Sequence, residues 1–434
     1  MKIRHHYAFF TWLLLLILSV GGCSSPISSS QPPTNTLIPV TRPPSLTSTA
    51  IPISPTPITI PEIVEPFHPV FLPENLQQQT FSILGATKDG KLWLRSNQTI
   101  VTLEDRTWSV NLSDFSGDLI GLYEDGTIWI SSEDGSEIST WDGTSWTTFT
   151  EDDGWVPLKE YERVHYGVVG DHQGRVWLAT DQDVRVFDGH GWRIFTPMDM
   201  GLSPLGEEEL RLEFSIAFIE SLDEIWVGTC YRAGPGPVGG QGVVRYDGTS
   251  WRSGSDEVSS GCTTVMAEDI LGRIWFGSDG VLWRFEPDSM SWIQFEPPSP
   301  PTGGGSFFNW VPVITLDLDN EPWAELLICG GGGCNGEVLY HVHDESWIQI
   351  MEPNSHYDRK LVIDAVGTPW LFVQGYPWGE VGAIYRIEDN LPKPISDLRL
   401  RANDVTLDRD GRIWFVVEGE EGHQLWVLEN DTSQ

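Results

Sequence analysis

Basic residues are scarce in this 434-residue sequence: 26 Lys and Arg stand against 62 Asp and Glu, for a formal net charge of −36. That deficit excludes nucleic acid as a partner, because phosphate binding needs a basic surface that releases counterions. There is no Gly-x-Ser-x-Gly elbow, no phosphate-binding loop and no ordered Ser/His/Asp set, so the sequence offers catalysis little support. Cysteine is limited to five positions. No apolar run is long enough to cross a bilayer as a stop-transfer helix. Tryptophan, by contrast, reaches 21 copies and outnumbers both Phe, at 18, and Tyr, at 10. Such an excess asks for a periodic cause.

The first segment reads as an address. Lys2 and Arg4 precede the apolar stretch from Ala8 to Val20, which ends in Gly21 and Gly22 before Cys23; this is the layout of an export signal spanning residues 1–22. Val-Gly-Gly-Cys resembles the lipobox of bacterial lipoproteins. The resemblance implies lipidation of Cys23 and an extracytoplasmic chain held at the cell membrane or surface. Because the body is so acidic, anionic headgroups repel it and the lipid alone must anchor it. Residues 23–65 are dominated by Pro, Ser and Thr and carry almost no charge. That composition predicts a disordered, semi-stiff spacer reaching on the order of 100 Å.

Residues 66–434 repeat. DGKLWLRS, DGTIWISS, QGRVWLAT, LDEIWVGT, LGRIWFGS, DNEPWAEL, VGTPWLFV and DGRIWFVV centre on Trp93, Trp129, Trp177, Trp226, Trp275, Trp323, Trp370 and Trp414. Their spacings are 36, 48, 49, 49, 48, 47 and 44 residues. With no helical periodicity between them, eight copies predict a radial array of small sheets, an all-β eight-bladed propeller of four-stranded antiparallel blades. The short first spacing keeps open a seven-bladed ring with one flanking sheet. Three residues before each Trp stands Gly, Asp or Asn, the types that best tolerate positive φ, so a tight hairpin is expected there. Six residues before it an acid recurs in six units, from Asp171 to Asp408, placed to bond turn amides. A second hairpin, as in TWDGTSWTTF, brings Trp108, Trp146, Trp192, Trp251, Trp292 and Trp347 into the blades as packing residues. Strands A to D follow in chain order. The last unit lacks its D strand, and residues 66–72, with Phe67 and Phe71, are expected to supply it and close the ring.

The pattern D-x-x-G-x-[IVL]-W followed by Y-D-G-x-x-W resembles the propeller repeats in sensor ectodomains of hybrid two-component regulators, and more loosely those of streptogramin lyases. The first resemblance implies a sensing or interaction module. The second implies a lyase or hydrolase acting on a carbohydrate or cyclic peptide at the channel mouth, with His165 and Glu160 or Glu162 as its weak catalytic candidates. Arginine is too sparse for a sialidase-like site.

In such blades the A–B and C–D turns share one face, and the longer B–C and D–A connections share the other. Loops elaborated on one face of a rigid scaffold favour binding there. Trp155, Trp310 and Trp378 fall in this set, beside Tyr231, Phe307, Phe308 and Tyr376. Aromatic faces near carboxylates suit sugars or cationic ligands, while the plainer role is to pin the loops to the rim. A glycan, another ligand or a protein is therefore the expected partner of a monomer, with no cofactor. The four cysteines after Cys23 allow three pairings, of which Cys230 with Cys262 and Cys329 with Cys334 are favoured. No metal site is expected. DLDN at 317–320 and DRDG at 408–411 lack the distal Glu of a calcium loop, and a zinc site would have to recruit His341 or His356.

Overall fold

The residue three before each repeat tryptophan adopts positive φ in every unit, between 52° at Asp223 and 92° at Gly126. Each therefore closes a tight A–B hairpin that hands the chain directly to the strand carrying the tryptophan. The computed structural model describes residues 67–428 apart from short stretches, the longest at 204–210, 299–307, 352–358 and 375–381. Cys23, Glu160, Glu162, Phe307, Tyr376 and Trp378 lie outside the described residues.

Eight antiparallel sheets follow in chain order and form a ring of eight blades. Blade one, for example, is Ser82–Ala86, Leu92–Ser96, Thr99–Glu104 and Thr107–Ser113. Its short spacing to Trp129 has a local cause: the chain turns from B to C at Asn97, with φ 50°, and reaches blade two four residues after strand D. Blade four carries a fifth strand, Gly236–Gly239, paired with its B strand Glu224–Ala233. In blade eight the D position is taken by Phe67–Val70, which pairs antiparallel with Gly422–Leu428. Phe67 is fully buried and meets Trp370 and Phe415 edge-on at 5.6 and 5.3 Å. Phe71 lies beyond the strand and is 94% exposed, so only Phe67 serves as the strand's aromatic anchor.

The eight repeat tryptophans are at most 6% exposed and fill the interfaces between neighbouring blades. Trp177 of blade three packs against Phe214, Ile216 and Tyr246 of blade four, and Trp226 of blade four against Phe285 and Trp292 of blade five. Burying an indole of this size contributes on the order of 4–6 kcal/mol of transfer free energy before conformational entropy. The indole N–H also needs an acceptor, and the recurring acid provides it. Asp171, Asp269, Asp317, Asp364 and Asp408 each accept it through Oδ2 at 2.7–3.2 Å. In each, Oδ1 accepts two turn amides, as Asp171 does from Gln173 and Arg175. One carboxylate thereby caps the hairpin and satisfies the core residue that the hairpin delivers.

Candidate functional site

The two faces of the ring differ as the turn lengths imply. On the A–B and C–D face the turns are tight. On the other face, blades four and six extend beyond the common strand length: Arg211–Ile219 and Glu224–Ala233 in four, Phe308–Leu316, Pro322–Gly330 and Gly333–His343 in six. Cys230 and Cys262 form a disulfide that fastens the blade-four ribbon to the segment entering blade five. Cys329 and Cys334 are cross-strand partners in the register of blade six.

The expected aromatic platform is redistributed. Trp155 is only 1% exposed: its indole N–H donates to the Gly135 carbonyl at 3.2 Å, its ring meets Trp192 edge-on at 5.0 Å, and Arg185 lies over it at 4.3 Å. It is a loop anchor, because its whole surface is used in packing. Trp310 and Phe308 sit in strand A of blade six, opposite Leu327 and Cys329, rather than in the loop before it. Tyr231, in strand B of blade four, is half-buried and shares a hydrogen bond with the Gln241 amide; burial raises its hydroxyl pKa above the ordinary value. His165 lies in strand A of blade three opposite Ala179.

The anchored loop frames a groove. Between blades one and two a cleft of about 640 Å³ is lined by Phe115, Ser132, Glu133, Asp134, Glu137 and Trp146, among others. Trp146, which the sequence pattern assigns to packing, is 42% exposed; its ring is tilted against Trp141, with centroids 5.5 Å apart. Ser136 and Ser132 donate hydrogen bonds to Asp134 that hold its carboxyl down to about 2, so the groove keeps its charge throughout the physiological range. The turn forming one wall is held in place by the Leu158 backbone N–H and the Trp155 indole N–H, which both donate to the Gly135 carbonyl. Gly135 has φ 68°, and a Cβ there would stand 2.6 Å from that of Leu158. The residue type and the anchor therefore specify each other.

A second cluster lies on the opposite, tight-turn face. His341 Nε2 stands 3.1 Å from Asp317 Oδ2 and 3.4 Å from Glu321 Oε2, and His343 Nδ1 is 2.5 Å from the same Glu321 oxygen. His341 is buried, while His343 is half-exposed and its pKa is raised by the hydrogen bond to Glu321. In the sequence, His341 stands out only as a recruit to a cysteine-based zinc site, and Asp317 as a turn cap or a fragment of an incomplete calcium loop. The two histidines are some twenty residues from the acids along the chain, and only the B–C register of blade six brings them together.

No family model matches the sequence, and neither does any curated protein. Solved structures do match at low identity. The extracellular domains of two putative hybrid two component systems from B. thetaiotaomicron align at 12% and 13% identity, with TM-scores of 0.42 and 0.43. These alignments cover 82% and 81% of this chain, which spans about half the length of each of those domains. The periplasmic gluconolactonase of Pseudomonas aeruginosa aligns at 10% identity over 74% of this chain and 97% of its own, with a TM-score of 0.44.

Proposed function

We propose that this chain is an extracytoplasmic eight-bladed propeller, anchored through a lipid on Cys23 and the spacer 23–65, which binds a ligand or protein partner on its B–C and D–A loop face. One observation carries the reading: the two faces are unequal. Tight turns cap one side, while on the other a disulfide-fastened ribbon, an extended hairpin and an aromatic, acidic groove project from a rigid ring, the usual arrangement of a binding surface on a scaffold. The groove combines an exposed indole with hydroxyls and fixed carboxylates, which suits a carbohydrate whose ring stacks on Trp146 and whose hydroxyls donate to Asp134 and Glu137. Trp310, Trp378, Tyr231, Phe307, Phe308 and Tyr376 are proposed to extend the surface across blades four to seven.

The test is a glycan array and polysaccharide pull-down with the full chain, alongside Trp146→Ala. Retention of a polysaccharide, weakened in the variant, supports the reading; binding indifferent to Trp146 moves the site out of the groove. Intact-mass measurement of the membrane fraction that finds Cys23 unmodified removes the anchor.

A further inference from the structure

In blades three, five and eight the residue four after the repeat aspartate is an arginine. Arg175, Arg273 and Arg412 each set Nε 2.6 Å from the aspartate Oδ2 and lie over the neighbouring tryptophan ring at 5.3–5.8 Å. Blade six inverts that charge. The same position holds Glu321, and the group over Trp323 is His341, stacked at 4.2 Å with the rings 12° apart. Two carboxylates thus converge on an imidazole where blades three, five and eight pair one carboxylate with one guanidinium.

The spacing of these atoms is that of a coordination shell. Ligands about 2.0–2.2 Å from a tetrahedral Zn²⁺ stand roughly 3.3–3.5 Å from one another. His341 Nε2 lies 3.1 and 3.4 Å from its two oxygens, and the three donor atoms are all within 4.8 Å of each other. The other ring nitrogen, Nδ1, is 2.9 Å from Oδ1 of Asn390, in the C–D turn of blade seven. With the ring hydrogen on Nδ1, an acceptor there leaves Nε2 free to ligate, the outer-shell arrangement that orients metal-bound histidines. Two carboxylates and an imidazole converging this closely call for positive charge among them, which a bound cation or a second ring proton supplies.

The geometry points to a divalent transition-metal site, of the Zn²⁺ type, formed by Asp317, Glu321 and His341, with the fourth position left to water. Imidazole nitrogen favours such an ion over Ca²⁺ or Mg²⁺, which prefer all-oxygen shells. The site lies on the face opposite the proposed binding surface and ties blade six to the Asn390 turn of blade seven. It is independent of what that surface binds.

The test uses the full chain stripped with EDTA. Titration with Zn²⁺ is followed by calorimetry and elemental analysis, and titration with Co²⁺ by its visible spectrum. One equivalent should bind, with a tetrahedral Co²⁺ spectrum and no comparable uptake of Ca²⁺. Glu321→Arg, which restores the residue found in three other blades, should keep the circular dichroism and weaken Zn²⁺ binding by at least about tenfold; His341→Gln should do the same, and the exposed His190→Gln should not. If Glu321→Arg does not fold, Glu321→Gln reads the same affinity. No uptake, or uptake equal in the Glu321 and His341 variants, overturns the site and leaves His341 as an imidazolium standing in for the missing arginine.

Discussion

Trp414 Nε1 and Arg412 Nε both donate to one oxygen, Asp408 Oδ2, at 2.7 and 2.6 Å. The carboxylate is almost wholly buried, so its removal leaves a buried indole N–H without an acceptor and the Arg412 guanidinium with only the exposed Asp410 carboxylate. Asp408→Ala is therefore expected to cost about 2–4 kcal/mol. Asp408→Asn keeps one acceptor oxygen, enough for the two turn amides but not also for the indole N–H, and should cost less than Asp408→Ala. Urea denaturation followed by tryptophan fluorescence decides it, and equal losses in the two variants would show that capping the turn amides contributes nothing without the second oxygen.

The same motif sets a pH dependence. Burial works to raise the Asp171 carboxyl, but the Trp177 indole N–H and the Arg175 guanidinium more than offset it and hold it below the ordinary carboxylate value. A depressed folded pKa contributes stability that is present above the unfolded value, near 4, and is lost as pH falls through the folded one. The stability gap between the wild type and Asp171→Asn should therefore stay constant from about pH 7 to 5 and close below about pH 4. A gap that widens on acidification contradicts this assignment.

Trp155 tests the groove wall. Its ring is wholly packed between Trp192 and Arg185, so Trp155→Ala should lose about 3–5 kcal/mol through the cavity and the lost hydrogen bond. Gly135→Ala should disturb the same wall from the other side, since its new Cβ and that of Leu158 cannot both fit. If the groove is the binding site, Gly135→Ala weakens ligand retention while the ring stays folded by circular dichroism.

Local rules made the ring readable. The left-handed residue three before each Trp holds in every unit, and the acid six before it caps the turn and the indole in five of its six units; in blade four Glu224 rather than Glu220 accepts the Trp226 indole N–H. The site was less readable, because it depends on contacts between distant segments. The repeat assigns Trp146 to packing and Trp155 to the loop face, yet Trp155 meets Gly135 across the loop and is buried, while Trp146 stands on an outer strand with its ring in the groove. Glu321 breaks the arginine pattern visibly, but its meaning appears only when His341 arrives from the next strand but one.

Cys230 and Cys262 join segments 32 residues apart in sequence. Closing a loop of that length removes about 3–4 kcal/mol of chain entropy from the unfolded ensemble, so Cys230→Ser with Cys262→Ser should lower stability by roughly that amount. Because the bond fastens the blade-four ribbon to the segment entering blade five, the loss should be local, with protease sensitivity rising around 230–262 before the ring melts. Cys329 and Cys334 are cross-strand partners at the end of the blade-six hairpin, close enough in register for a second bond that closes a far shorter loop. Non-reducing peptide mapping should find both bonds, and loss of the first should cost more than loss of the second, about 3–4 against about 2 kcal/mol. Equal losses would mean that native-state packing rather than unfolded-chain entropy sets their value.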